Sequence, residues 1–247
     1  MSQTSTPVLL QGPFNSARFG KTLCIDITTP HNSLVVERGS ELPRASLIVT
    51  TAARYLIDSS RNGDKLDHIL VIGTGIDPAE HPDLRNIVDN LRALKDKWFA
   101  RAKLALRTRT LNLEAYNLRS TIAKFNHVYI PMEWGTTKVF SAMSGGKATA
   151  LGQLVKDLGS LENVTLEAQF ASGADGNMAE SDIAAWVKKV EEISPARVHL
   201  LGGPPTSKKK LKAKTSTKPQ RKKVMDNLVE KTGLTVELFD HETTLPE

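Results

Sequence analysis

Short runs rich in Val, Ile and Leu alternate with amphipathic helical patterns almost from end to end of this 247-residue chain. That alternation is the signature of parallel strands joined by helical crossovers, so the chain is expected to be an α/β protein. Strands are predicted at Lys21 to Thr28, Asp67 to Gly73, Lys103 to Thr108 and His127 to Met132, then at Val164 to Phe170, Ala196 to Leu201 and Thr235 to Phe239. Helices are predicted over Pro43 to Ser60, Pro82 to Lys97, Leu113 to Lys124, Lys147 to Leu158 and Glu180 to Ile193. A last helix should end near Thr232, where Gly233 can take the left-handed cap. In the first helix Ile48, Ala52, Tyr55 and Leu56 share one face, and the second starts with Pro82 and Asp83, which suit a first turn.

Six β/α units in a chain of this length make one partial (β/α)6 TIM-like barrel domain, covering 1–207 and 224–247. Cys24 is the lone cysteine, which excludes an internal disulfide and any site that needs several thiolates from this chain. No stretch approaches the roughly 20 apolar residues of a membrane span, and Met1 to Leu10 has neither a basic n-region nor a long apolar run. A cytoplasmic location without a membrane partner is the expectation.

The net charge of +6 is concentrated rather than global. Lys208 to Lys223 holds nine Lys or Arg and no acid, so the remainder of the chain is net acidic. Self-repulsion and the lack of a hydrophobic period predict an extended, flexible segment over 208–223. It reads either as a solvated loop or as a surface for an anionic partner, through Lys208, Lys209, Lys210, Lys212, Lys214, Arg221, Lys222 and Lys223.

In parallel β/α folds function gathers at the C-terminal strand ends. The first of these regions is the loop Thr29 to Leu42, and ahead of it stand the opening Gly12-Pro13-Phe14-Asn15-Ser16-Ala17-Arg18-Phe19-Gly20 and, in the first strand, Leu23-Cys24-Ile25-Asp26. Downstream stand Gly73-Thr74-Gly75-Ile76-Asp77-Pro78, His81-Pro82-Asp83-Leu84, and Ser141 to Gly146. In order and wording these segments resemble those of radical S-adenosylmethionine (SAM) enzymes over nearly the whole chain.

The resemblance implies a partial barrel in which a loop after the first strand carries three cysteines that bind a [4Fe–4S] cluster, with SAM on the fourth iron. Here that loop has none. One register places the cysteine positions on Thr29, Ser33 and Val36; another places them on His31, Val35 and Arg38. Thiolates are what such a cluster needs, so no [4Fe–4S] cofactor is expected. By the same resemblance Gly73, Thr74, Gly75, Asp77 and Glu133 are the candidates for residual SAM or ligand binding, the alternative being a turn that only closes the barrel.

Other chemistry finds less support. The six histidines are scattered and show no zinc-helix spacing, and no G-x-S-x-G elbow is present. Glu133 and Glu167 near strand ends offer an acid and a base, although paired carboxylates there are commonly structural. The expected role is therefore a non-catalytic radical SAM-like accessory subunit. It would form a heteromer with a cluster-bearing radical SAM enzyme and help position its substrate, for instance an acidic precursor peptide in ribosomal peptide modification. A cluster-free enzyme that binds SAM or a nucleotide is the alternative. A nucleic-acid-binding module working through the Lys-rich segment is another.

Overall fold

The computed structural model describes residues 9–29, 42–110, 112–113, 118–205 and 212–240. Among them the elements run β1 (Leu10–Ser16), β2 (Gly20–Asp26), α1 (Ala45–Arg61), β3 (His68–Ile72), α2 (Leu84–Trp98), β4 (Lys103–Arg107), α3 (Leu118–Ile122) and β5 (His127–Pro131). They continue with α4 (Thr137–Ser144), α5 (Ala150–Gly159), β6 (Val164–Gln169), β7 (Ala171–Ser172), α6 (Glu180–Ile193), β8 (Arg197–Leu201), β9 (Lys214–Thr215), α7 (Lys218–Thr232) and β10 (Val236–Phe239). The main sheet has the order β1-β2-β3-β4-β5-β6-β8-β10, and the fold is a partial TIM-like barrel. The described residues fall into two compact units, one reaching to Thr110 and including Ser120–Val128, the other comprising those within 112–119 and from Tyr129 onward.

In the first unit β2, β3 and β4 pair in parallel, with Thr22 opposite His68 opposite Lys103 and Cys24 opposite Leu70 opposite Ala105. Strand period sends Leu23 and Ile25 to the opposite face, where both are fully buried together with Ile48, Ala52 and Leu56 of α1 and Ile87, Val88 and Leu91 of α2. Strand β1 was not foreseen. It forms an antiparallel hairpin with β2, because Gly20 at φ 66° permits the tight turn after Phe19. Its register shifts between Gln11 and Phe14, next to the cis Gly12–Pro13 peptide.

In the second unit β6, β8 and β10 pair in parallel. Leu166, Ala168, Val198 and Leu200 on one face of these strands are buried, as are Ile183, Trp186, Val187 and Val190 of α6 and Leu151, Leu154 and Val155 of α5. Helix α4 runs into the Ser141 to Gly146 segment, started by the Thr136 hydroxyl, which accepts from the Val139 amide, and ended by Gly145 at φ 70°. Helix α7 begins at Lys218, inside the basic run for which an extended chain was expected. A capping box outweighs the local repulsion: the Thr217 hydroxyl accepts from the Gln220 amide while the Gln220 side chain accepts from the Thr217 amide, and Pro219 fits the first turn. Gly233, at φ 66°, closes the helix as expected.

Candidate functional site

The end of β2 is built around Asp26, whose side chain is fully buried. Its Oδ1 accepts from the amides of Thr28 (2.9 Å), Thr29 (3.1 Å) and Thr74 (3.4 Å) and from the Thr28 hydroxyl (3.2 Å). Its Oδ2 accepts from the hydroxyls of Thr29 and Thr74. The Thr28 hydroxyl in turn accepts from the amides of Gly75 (3.2 Å) and Ile76 (3.4 Å). A buried carboxylate is tolerated only when donors satisfy it, and here they come from two consecutive strand ends of one unit.

The glycine turn is shaped by the same contacts. A Cβ on Gly73 would lie 2.2 Å from the Ile76 carbonyl oxygen and 2.8 Å from the Thr28 hydroxyl, so the close approach admits glycine alone. Asp77 caps the short 3-10 turn Pro78–Glu80 by accepting from the Ala79 amide at 2.9 Å, and it also accepts from the Thr108 hydroxyl and the Arg109 amide. Between the ends of β3 and β4 lies a cavity of about 200 Å³, lined by Ile72, the turn from Gly73 to Pro78, Arg107 and Arg109.

The structure thus brings Gly73, Thr74, Gly75 and Asp77 to one cavity wall. Glu133 belongs to the second unit and is 2% exposed. Of the predicted cluster-loop positions, Thr29 is bound to Asp26 and Thr74, while His31, Ser33 and Val36 lie outside the described residues. Cys24 is fully buried within β2. Oxygen donors committed to a carboxylate, with one thiol inside a strand, do not fit an iron–sulfur cluster. Among the described residues no group of three or more His, Cys, Asp or Glu is placed to hold a metal ion.

In the second unit the loops after β5 and β6 are tied by Asn177, itself 2% exposed. Its amide nitrogen donates to the Glu133 carbonyl (2.9 Å) and the Gln169 carbonyl (3.0 Å), and its oxygen accepts from the Ala171 amide (2.9 Å). The Trp186 indole donates to the Met132 carbonyl at 2.8 Å. Glu167, His199 and Glu237 stand at one register of β6, β8 and β10, with His199 Nε2 3.4 Å from Glu237 Oε2.

Of the predicted basic surface, Lys208, Lys209 and Lys210 lie outside the described residues. Lys212, Lys214, Lys222 and Lys223 are exposed, and Lys222 pairs with Asp226 at 3.0 Å. Arg221 departs from that set. It is 5% exposed and donates to the Ser216 carbonyl (2.8 Å) and to Asp240 (3.1 Å), because its position on α7 faces the interior beside Val224 and Leu228.

Sequence reasoning pointed to the strand-end loops Arg107 to Asn112 and Ala171 to Asn177 but gave Arg107, Arg109 and Asn177 no role of their own. Both arginines line the cavity, but β4 ends at Arg107, so no strand period relates Arg109 to it. Asn177 carried no signal, since its bonds are to main-chain groups of distant segments.

No protein family and no characterised protein matches the chain by sequence. Among solved structures it is similar to SuiB of Streptococcus suis, with a TM-score of 0.52 at 15% identity over 77% of this chain and 42% of SuiB. SuiB bound to S-adenosylmethionine gives a TM-score of 0.52 at 15% identity, over 77% of this chain and 43% of that one. A domain of pyruvate-formate lyase-activating enzyme from Bacteroides vulgatus aligns with a TM-score of 0.44 and 11% identity, over 64% of this chain and 94% of the domain. The chain spans less than half the length of SuiB. What is shared is the fold, a partial β/α barrel.

Proposed function

We propose that this chain is a non-catalytic, radical SAM-like binding subunit. It pairs with a cluster-bearing radical SAM enzyme and helps hold that enzyme's substrate, a precursor peptide with acidic residues. The observation that carries this reading is the closed network at Asp26. Where the resemblance implies a cluster beside the end of β2, this chain has a carboxylate with its acceptor positions filled, and its one thiol is inside the strand. A barrel of this fold without thiolate ligands is suited to recognition, and the exposed lysines at 212, 214, 222 and 223 offer the charge that acidic segments need.

The test is co-purification of the chain with the products of its neighbouring genes, with an iron assay on each component. A stable complex whose iron resides wholly in the other chain supports the reading. An isolated chain that associates with no radical SAM protein and no peptide sinks it. Binding of SAM to the isolated chain by calorimetry would favour a cluster-free SAM-binding enzyme instead. RNA binding that weakens steeply with salt would favour a nucleic-acid module.

A further inference from the structure

We propose that the outer edge of β10 is a docking strip for an extended, acidic segment of the substrate peptide, which adds to the sheet as a further strand. β10 stands last in the order of the main sheet and pairs with β8 alone. The Thr235 and Phe239 carbonyls accept from the Val198 and Gly202 amides at 3.0 and 2.8 Å. Strand alternation therefore turns the N–H and C=O groups of Thr235, Glu237 and Phe239 toward β8, and those of Val236 and Leu238 away from it. Among the described residues nothing bonds to the main chain of Val236 or Leu238 on that outer side.

The opposite end of the sheet order is blunted. β1 shifts register between Gln11 and Phe14, and Pro13 within it has no amide hydrogen, both of which disfavour a further strand. β10 keeps an unbroken register with β8 from Val236 to Phe239 and contains no proline. A strand laid beside it would lengthen two apolar rows, Val198 with Val236 and Leu200 with Leu238, and so takes apolar side chains at alternate positions.

The preference for acid comes from the ion pairs around the strip. Arg197 pairs with Glu237 at 3.3 Å, while Lys218 and Arg221 pair with Asp240 at 3.4 and 3.1 Å. These pairs join three cations to two carboxylates, and Arg197 and Lys218 are exposed. Exposed ion pairs contribute little, so an incoming carboxylate shares or replaces Glu237 and Asp240 at small cost.

The inference rests on the substrate-holding half of the proposed function, but its test needs no partner enzyme. The full chain is titrated at low salt with the peptide Ac-Asp-Val-Thr-Val-Thr-Val-Asp-amide, followed by calorimetry and by hydrogen exchange at the Val236 and Leu238 amides. The peptide should bind saturably and slow exchange at both amides. A copy N-methylated along its centre should bind about tenfold more weakly, as should a copy with Lys in place of both Asp. Lys218→Glu should weaken binding by about fivefold, and Leu238→Pro, which removes one outward amide, should weaken it as well. Lys65→Glu, ahead of β3, should not, with circular dichroism confirming that each variant is folded. No saturable binding, binding that leaves both amides unprotected, or equal affinity for the N-methylated copy overturns the strip. Slow exchange at these amides in the free chain also overturns it, giving the edge to a second copy where sedimentation shows a dimer and to another stretch of this chain where it shows a monomer. A chain whose edge amides the peptide protects, yet which never co-purifies with a radical SAM enzyme, keeps the strip and loses the partner reading. A chain that co-purifies but leaves those amides unprotected does the reverse.

Discussion

Asp26 and Thr74, 48 residues apart in sequence, are joined twice, through the Thr74 amide at 3.4 Å and through its hydroxyl. The pair fastens the end of β2 to the turn that follows β3. Asp26→Asn replaces an acceptor oxygen with a donor amid groups that all donate, and should cost about 2–3 kcal/mol. Urea denaturation of the variant checks this, and an unchanged midpoint would show that the network contributes little. Thr74→Val, which removes one hydroxyl only, should cost about 1 kcal/mol by the same measurement.

His68 gives the first unit a pH dependence. Burial lowers its pKa below the ordinary 6.5; the hydrogen bond to the Phe19 carbonyl and the charge of Asp67 oppose the shift, and Lys103 adds to it. Its Nδ1 lies 2.6 Å from the Phe19 oxygen, and the rings of Phe19 and His127 stand 5.7 and 6.0 Å away. The unfolded chain takes up this proton first as pH falls. His68 therefore contributes full stability above 6.5 and loses it as pH drops from 6.5 toward the lower folded-state value. Denaturation midpoints between about pH 5 and pH 8 should show this decline, and His68→Gln should flatten it.

Gly135, after β5, packs directly on α6. A Cβ there would lie 2.0 Å from the Trp186 amide nitrogen, a main-chain atom that cannot swing aside. Gly135→Ala should destabilise by about 3 kcal/mol or more, while Gly152→Ala, whose Cβ meets nothing within 4 Å, should be neutral or stabilising. Thermal melts of the two variants make a direct comparison.

The capping box on α7 is worth about 1 kcal/mol by the usual cost of removing such a cap. Thr217→Ala should lower the thermal midpoint accordingly, and Thr217→Asp, which keeps an acceptor at that position, should restore it.

Incubation with iron and sulfide under reducing conditions should leave the chain without a cluster. Cys24→Ala should not change its iron content, because the thiol is buried within β2. Visible absorption together with an iron assay reads this, and an iron–sulfur band that disappears in the variant would contradict it.

The order of β/α elements was legible in the sequence because hydrophobic period changes from 2 to 3.6 at each boundary; α6, at Glu180–Ile193, coincides with its expected span. β1 was not legible, since Gly12 and Pro13 interrupt it and its pairing rests on the turn at Gly20. The onset of α7 was hidden by charge, as the run of lysines obscured a Thr-x-x-Gln signal four residues long. At the candidate site the Gly73 to Asp77 turn was visible as a motif. Its hydrogen-bond economy was not: that Thr28 engages the amides of Gly75 and Ile76 depends on two strand ends lying side by side, a relation no local pattern encodes.

The early start of α7 fixes Lys218 and Lys222 one helical turn apart on a backbone that folding has already ordered. Under the proposed function, an acidic segment that took the place of Asp240 on Lys218 and Asp226 on Lys222 would meet a preorganised ruler in place of a loose cloud of charge, and little conformational entropy of the lysine-bearing backbone would be lost at the encounter. Selection among acidic sequences would then follow the spacing of their carboxylates, and two peptides of equal charge but different spacing would be told apart.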